Sequence, residues 1–292
     1  MELLVVPPTH FDVLQSYNTR MRPDHPHGRP DKRRTFEQWA RMVSVLKYDL
    51  GIEIGFMNPD PSLPDMAFAC DPGLWINDVF IASNFWAKQR ASETQHFIDW
   101  FSRDENTLTI KLPPDSFFEG GDCVVVGNKV LIGYGENRTD ASGVDDVEGA
   151  LMEEDSSISV VPIRRVTEEF YHLNSVMTYY PSAKLLAYYA PAFESDAAEK
   201  LRENLPGVKI VDLPEEILYR NHPDFGGEYL YSYCLNSIEN NGKVLMSWCH
   251  PKHREILEDC GLQVIVCEDS EFERSGGAHR CETMIHNITK PL

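Results

Sequence analysis

Basic residues are in short supply, with 27 Lys and Arg against 46 Asp and Glu in 292 residues, a formal net charge of −19. Such a chain repels nucleic-acid phosphates and anionic membrane surfaces, so neither is expected as a partner, whereas a cationic small molecule is drawn towards it. No apolar run approaches the roughly 18 to 20 residues that span a bilayer. The opening Met1-Glu2-Leu3-Leu4-Val5-Val6-Pro7-Pro8 lacks the basic residues and longer apolar stretch of a signal peptide, and reads as a first β-strand. Cysteine occurs seven times, at positions 70, 123, 234, 249, 260, 267 and 281, and never as Cys-x-x-Cys. An odd number of scattered thiols points to a reducing cytoplasm with free cysteines, and no metal site is expected. Ser/Gly linkers and breaks in composition are also missing, so residues 1–292 read as one domain.

What is present alternates between strand and helix patterns. A polar loop follows the first strand and leads to Asn18, Arg20 and Arg22; residues 22–34, rich in Pro, Asp, His and Arg, read as an exposed loop able to cover a site. From Thr35, an expected N-cap, Phe36, Trp39, Ala40, Met42, Val43, Leu46 and Leu50 recur at helical spacing up to Gly51. Residues 92–101, 192–204 and 255–260 read as helices, and the acidic stretch 143–157 as a solvated segment or exposed helix. Strands are expected at 79–82, 107–112, 123–126, 129–133, 158–162, 185–189, 208–211 and 263–267. Asn240-Asn241-Gly242 marks a hairpin between 232–236 and 243–247, after a polar loop around 221–228. Apolar alternation returns at Met284, Ile285 and Ile288.

The residues with chemical potential sit in loops between these elements. Cys281 ends a turn containing Gly276 and Gly277, where a ligand can approach the backbone closely, and is the candidate nucleophile. A thiol needs a base or cation to become a thiolate, and the leaving nitrogen of a carbon–nitrogen cleavage needs an acid. His172 can serve both needs, and Glu119, between Phe118 and two glycines, can orient the imidazole.

Phe-Glu-Gly-Gly-Asp at 118–122, Tyr-His-Leu at 171–173 and Ser-Gly-Gly-x-x-x-Cys at 275–281 occur in that order, with Leu-Pro-Asp-Met-x-Phe at 63–68 and Asn-Arg-Thr at 137–139. Together they resemble the guanidine-modifying enzyme superfamily of dimethylarginine dimethylaminohydrolases, arginine deiminases, arginine dihydrolases and amidinotransferases. The resemblance runs from about residue 5 to the C-terminus. It implies an α/β fold, the five-bladed pseudosymmetric β/α propeller called a pentein, with a guanidino amino acid in a central channel. It further implies a cofactor-free reaction in which Cys281 attacks the guanidinium carbon, His172 moves protons and Glu119 orients His172. Asp71 would grip the guanidinium; Asp65, Arg90 and Arg138 would hold the amino and carboxylate ends; Asp122, Asn174 and Asn18 complete the implied substrate-binding set.

Departures from the pattern bear on the substrate. Asn174 stands where deiminases, dihydrolases and amidinotransferases usually have an aspartate, which dimethylarginine hydrolases also lack. Cys70 replaces an acid common in the latter, and the runs Pro-Pro-Thr-His-Phe-Asp and Ser-Glu-Phe-Glu-Arg-Ser-Gly-Gly look closer to the dihydrolases. The expected activity is hydrolysis of arginine or an Nω-methylated arginine to citrulline plus ammonia or an alkylamine. Open alternatives are a dihydrolase giving ornithine, an amidinotransferase, and a guanidino-compound binding protein without catalysis; a homo-oligomer is also open.

Overall fold

The computed structural model describes residues 2–286. Among them, five sheets of three strands repeat one connection: two antiparallel strands, a helix, and a third strand parallel to the second. The second sheet shows the unit plainly. Gly73–Ile76 pairs antiparallel with Val79–Ala82, the chain crosses through the helix Glu93–Phe101, and Leu108–Lys111 returns parallel to Val79–Ala82. The third sheet repeats this with Cys123–Val126, Lys129–Tyr134 and Ser159–Arg164, the fourth with Met177–Tyr180, Leu185–Tyr188 and Lys209–Asp212. The fifth comprises Ile238–Asn240, Lys243–Met246 and Gln263–Val266.

The first sheet draws on both ends of the described chain. Its middle strand Glu2–Val5 is parallel to Glu53–Phe56 and antiparallel to Thr283–His286, with Leu3 opposite Ile285 and Leu4 opposite Met284. The expected Ile288 lies outside the described residues.

In several units the third strand is the exposed one. Gly73–Ile76 and Val79–Ala82 are buried throughout, whereas the third strands Glu53–Phe56, Leu108–Lys111 and Lys209–Asp212 contain no buried residue. Strands covered on both faces read as continuous apolar runs, such as Val79-Phe80-Ile81-Ala82, while the outer strands keep charged residues at their ends. The crossover helices cover the sheets with one apolar face, as in 141–154, where Val144, Val147 and Leu151 are buried beneath an acidic exterior. No helix among the described residues is long and apolar enough to cross a membrane.

Several local expectations change. Asp31 caps the first helix, accepting from Arg34 N at 2.8 Å, and Thr35 lies inside it, donating its hydroxyl to the Asp31 carbonyl. Residues 221–228 contribute to a hairpin, Tyr219–His222 with Glu228–Tyr231, whose polar composition conceals a Tyr219–Tyr231 edge contact at 5.6 Å across the strands. Conversely, 232–236 is no strand: Tyr233 takes φ +51°, and pairing begins only at Ile238.

Phe80 is fully buried and stacks on Phe101, with ring centroids 4.4 Å apart, joining the second sheet to its helix. Phe80→Ala should destabilise the fold by about 3–5 kcal/mol in urea unfolding. A cost below ~1 kcal/mol would show that this contact is not part of the core.

Candidate active site

The residue types needed for chemistry stand just before the first strands of the sheets. Asp71 precedes Gly73 by two positions, Asn236 precedes Ile238 by two, and Cys281 precedes Thr283 by two. Glu119 leads into the turn Gly120–Asp122 before Cys123, and His172 into the short helix Leu173–Val176 before Met177. Five sheets therefore direct five loops to one cavity region.

At its centre His172, almost wholly buried, places Nε2 2.8 Å from Glu119 Oε2 and Nδ1 3.5 Å from Asp71 Oδ1. Burial favours the neutral ring, but Asp71, the hydrogen bond with Cys281 and the hydrogen bond with Glu119 outweigh it and raise the imidazole pKa to about 10. Glu119 is buried too, which pushes its pKa up; Arg138, with Nη1 at 3.2 Å, and then His172 reverse that and bring it to about 2. Glu119 Oε1 accepts from Trp86 N at 3.1 Å, so the carboxylate is fixed on both oxygens.

Cys281 has its pKa lowered to about 6, first by a hydrogen bond from the Cys70 thiol, against burial, and then by its hydrogen bond with His172. Cys70 is itself held well above the usual thiol range, first by burial, so it remains a neutral donor. An acid at position 70 would repel the thiolate; the departure noted in the sequence supplies a donor instead. Asn174 binds Cys70 Sγ through Nδ2 at 3.0 Å and thereby orients that thiol.

Asn236 was absent from the sequence reading. Its Nδ2 donates to Cys281 Sγ at 3.1 Å, and its Oδ1 accepts from the backbone N of Ala278 and Cys281, each at 3.0 Å. One side chain thus sets the backbone of the nucleophile loop and touches its sulfur. Only the position two residues before a sheet's first strand marks it, and that signal requires knowing the repeat.

The cavity has about 260 Å³ of empty volume and is lined by Tyr17, Asn18, Asp65, Phe68, Asp71, Arg90, Arg138, Tyr171, His172, Ser275, Gly276, Gly277 and Cys281. Asp65 accepts from the Tyr17 and Ser275 hydroxyls, and Asn18 Nδ2 donates to the Ser275 carbonyl at 2.9 Å. Arg90 forks onto Glu93 at 2.9 and 2.7 Å and also pairs with Asp71, so its charge is committed to holding the guanidinium-binding candidate. Glu93 was not anticipated. Arg138 lies 4.8 Å from the Tyr171 ring centroid and 5.4 Å from that of Tyr17. Close packing explains two glycines: a Cβ on Gly121 would lie 2.6 Å from both Asp71 Oδ1 and His172 Nδ1, and Gly276, at φ +96°, would meet the Tyr171 hydroxyl at 2.3 Å.

Asp122 does not line the cavity. Its carboxylate accepts from Leu173 N at 3.0 Å and Thr139 N at 3.3 Å and faces Arg165 Nε at 3.2 Å, so it joins the third sheet to the His172 loop. Asn174 does not line the cavity either; it binds Cys70 Sγ through Nδ2 and lies 3.5 Å from Cys281 Sγ through Oδ1. Residues 22–34 do not line it either; Arg274 binds the His27 carbonyl and Glu271 accepts from Asp31 N at 2.8 Å, which fastens this loop to the segment before the nucleophile. Tyr17 and Asn18, earlier in the chain, line it instead.

The family model described as Arginine deiminase matches residues 56–201. The chain belongs to the arginine deiminase family. One relative, the bifunctional arginine dihydrolase/ornithine cyclodeaminase ArgZ of Synechocystis sp., is 28% identical over 296 residues, covering 100% of this chain and 38% of that protein. The chain therefore spans about 38% of the length of that relative and of AgrE from Nostoc sp.. N(G),N(G)-dimethylarginine dimethylaminohydrolase of Mycobacterium tuberculosis is 25% identical over 285 residues, 96% of this chain and 84% of that protein. Among solved structures, the N-terminal domain of ArgZ covalently bound to a reaction intermediate superposes with a TM-score of 0.83 at 26% identity, covering 97% of this chain and 96% of that one. The α/β arrangement of this family member is thus shared with its solved relatives.

The charge states lead to a pH prediction. Below pH about 6 Cys281 carries its proton; between about 6 and about 10 the thiolate faces an imidazolium; above that His172 loses its proton. Iodoacetamide labelling of Cys281, followed by peptide mass spectrometry, should accelerate through pH 6, and a midpoint near that of a free thiol would exclude the thiolate. In Asn236→Ala the same midpoint should rise by about one unit, the effect of losing one hydrogen bond to a charged sulfur. An unchanged midpoint would leave Asn236 no influence on the thiol.

Proposed function

We propose that the protein is a cysteine hydrolase that cleaves a carbon–nitrogen bond in the guanidino group of arginine or an Nω-methylated arginine, giving citrulline plus ammonia or an alkylamine. The observation that carries this reading is the placement of Cys281 and His172 beside Asp71, in a buried cavity with an anionic patch for a planar cation. We further infer that the five repeated sheets form a pentein, the five-bladed β/α propeller, with residues 1–292 as one catalytic domain working in a reducing cytoplasm. Five loops meeting at one cavity support that arrangement.

In the proposed reaction Asp71 accepts hydrogen bonds from the guanidinium. The Cys281 thiolate adds to the guanidinium carbon, forming a carbon–sulfur bond. His172 gives its proton to the departing nitrogen, the carbon–nitrogen bond breaks, and ammonia or the alkylamine leaves behind an amidino-thioether. His172, now neutral, takes a proton from water as that oxygen attacks the same carbon. The tetrahedral adduct collapses, expels the thiolate and releases the ureido product as its hydroxyl proton passes to solvent or to the released amine, while Glu119 retains the imidazole in register. Arg138 attracts the substrate carboxylate, and Asp65 with Asn18 the ammonium end; Arg90 acts through Asp71. The mechanism calls on no cofactor.

A second reading, in which the ureido product is attacked again to give ornithine, carbon dioxide and ammonia, is favoured by the full-length match to the ArgZ dihydrolase region and its TM-score. Incubation with arginine, monomethylarginine, dimethylarginine and citrulline in turn, with mass-spectrometric product analysis, separates the two: citrulline accumulates under the first and ornithine under the second. Cys281→Ser should abolish turnover while retaining substrate binding by calorimetry. Normal turnover in that variant would remove Cys281 from the chemistry.

A further inference from the structure

A second cluster of chemically capable side chains lies behind the nucleophile loop and plays no part in the proposed reaction. Asp269 follows the last strand of the fifth sheet, and His279 and Glu282 stand on either side of Cys281 in the sequence. All three are buried, each at most 1% exposed, and none lines the cavity. One ligand-type atom from each lies within 4.8 Å of the others.

The hydrogen bonding of His279 determines which nitrogen faces the cluster. Nε2 lies 2.8 Å from the Cys267 carbonyl, which only accepts, so Nε2 carries a proton and Nδ1 is the nitrogen that faces the cluster. Nδ1 stands 3.2 Å from Asp269 Oδ2 and 3.5 Å from Glu282 Oε1, and with no ion there, against burial, Asp269 draws a second proton onto the ring, raising its pKa to about 9. His279 Nδ1, both carboxylate oxygens of Asp269 and both of Glu282 are without a hydrogen-bond partner among the described residues. Five buried polar atoms thus converge on one point, and out of water such a group is held together by positive charge, either protons on its members or a metal ion that displaces them.

We propose that Asp269, His279 and Glu282 hold one divalent cation of the Zn²⁺, Co²⁺ or Mn²⁺ class, a structural ion behind the cysteine loop. One imidazole nitrogen and two carboxylates suit borderline divalent ions. Ligands held at about 2.1 Å from one ion stand roughly 3–4.2 Å apart, close to the spacings seen here. Two carboxylates with a neutral imidazole balance the ion's double charge. The Nε2–H bond to Cys267 is the orienting contact usual for a metal-bound histidine. This site departs from the sequence expectation of a metal-free chain, and it follows from burial and hydrogen bonding that no spacing of residues displays. Its consequence is mechanical: the ion ties Asp269, at the end of the fifth sheet, to both flanks of Cys281.

The test uses the whole chain, dialysed against a chelator and then titrated with Co²⁺. The expected result is one equivalent bound, with visible ligand-field absorption, no sulfur-to-cobalt charge-transfer band, and a rise in the melting temperature. Cys281→Ser should bind equally well, and Glu282→Gln and His279→Gln at least ten-fold more weakly. A sulfur band, or loss of binding in Cys281→Ser, would place the ion on the nucleophile and overturn the proposal. So would binding undiminished in Glu282→Gln, or no uptake and no change in melting temperature with Co²⁺, Zn²⁺ and Mn²⁺, which would assign protons to the cluster. The absorption spectrum of the unmodified chain decides the ligand chemistry even where a variant fails to fold.

Discussion

A positively charged imidazole kept out of water is the condition on which the rest of this site depends. Burial by itself would strip the proton from His172, and it would equally hold Cys281 as a thiol. For His172 burial is outweighed first by Asp71 at 3.5 Å, then by Cys281 and by Glu119 at 2.8 Å; for Cys281 it is outweighed first by the Cys70 thiol and then by His172. Glu119 in turn remains ionised through Arg138, and Asp71 is held by Arg90, whose remaining charge is met by Glu93. The charges form a connected series, so a neutralising change at its periphery reaches the sulfur without touching it.

Such a network requires close tolerances, and the fold supplies them by repetition. The same strand-strand-helix-strand unit delivers a loop from the same position five times, just before the first strand of a sheet. The backbone at these points is anchored on the following strand, so a side chain such as Asp71 or Asn236 inherits the rigidity of the sheet. Gly121 shows how little slack remains, since one added carbon there would collide with Asp71 and His172.

Much of this was legible in the residues. The strands at 79–82, 123–126 and 185–188, being apolar throughout, announce themselves, and the motifs around Glu119, His172 and Cys281 identify three groups that the fold brings together. The repeat was not legible, because the units share a connection and not a residue pattern: Asp-Pro-Gly opens one, Asn-Ser-Ile another. Without the repeat Asn236 looks like one polar residue among several before a turn. The role of Asp122 was obscured for a related reason, since an aspartate beside catalytic-type residues reads as a ligand group until Arg165 and two backbone N–H groups are seen to occupy it. Tyr17 carries no sequence signature, because its place depends on Asp65, 48 residues on; Glu93 binds Arg90 three residues earlier, and its importance appears only once Arg90 is seen to reach Asp71.

The pairing of Thr283–His286 with Glu2–Val5 also has a temporal meaning. During synthesis the first strand emerges early and waits, with one edge unpaired, until nearly three hundred residues have followed it. Cys281 stands just before the segment that ends this wait. The four intervening sheets need nothing from that segment for their strand pairing, so the thiol reaches His172 and Asn236 in the same event that completes the first sheet. Chain order thus brings Cys281 to the cavity last.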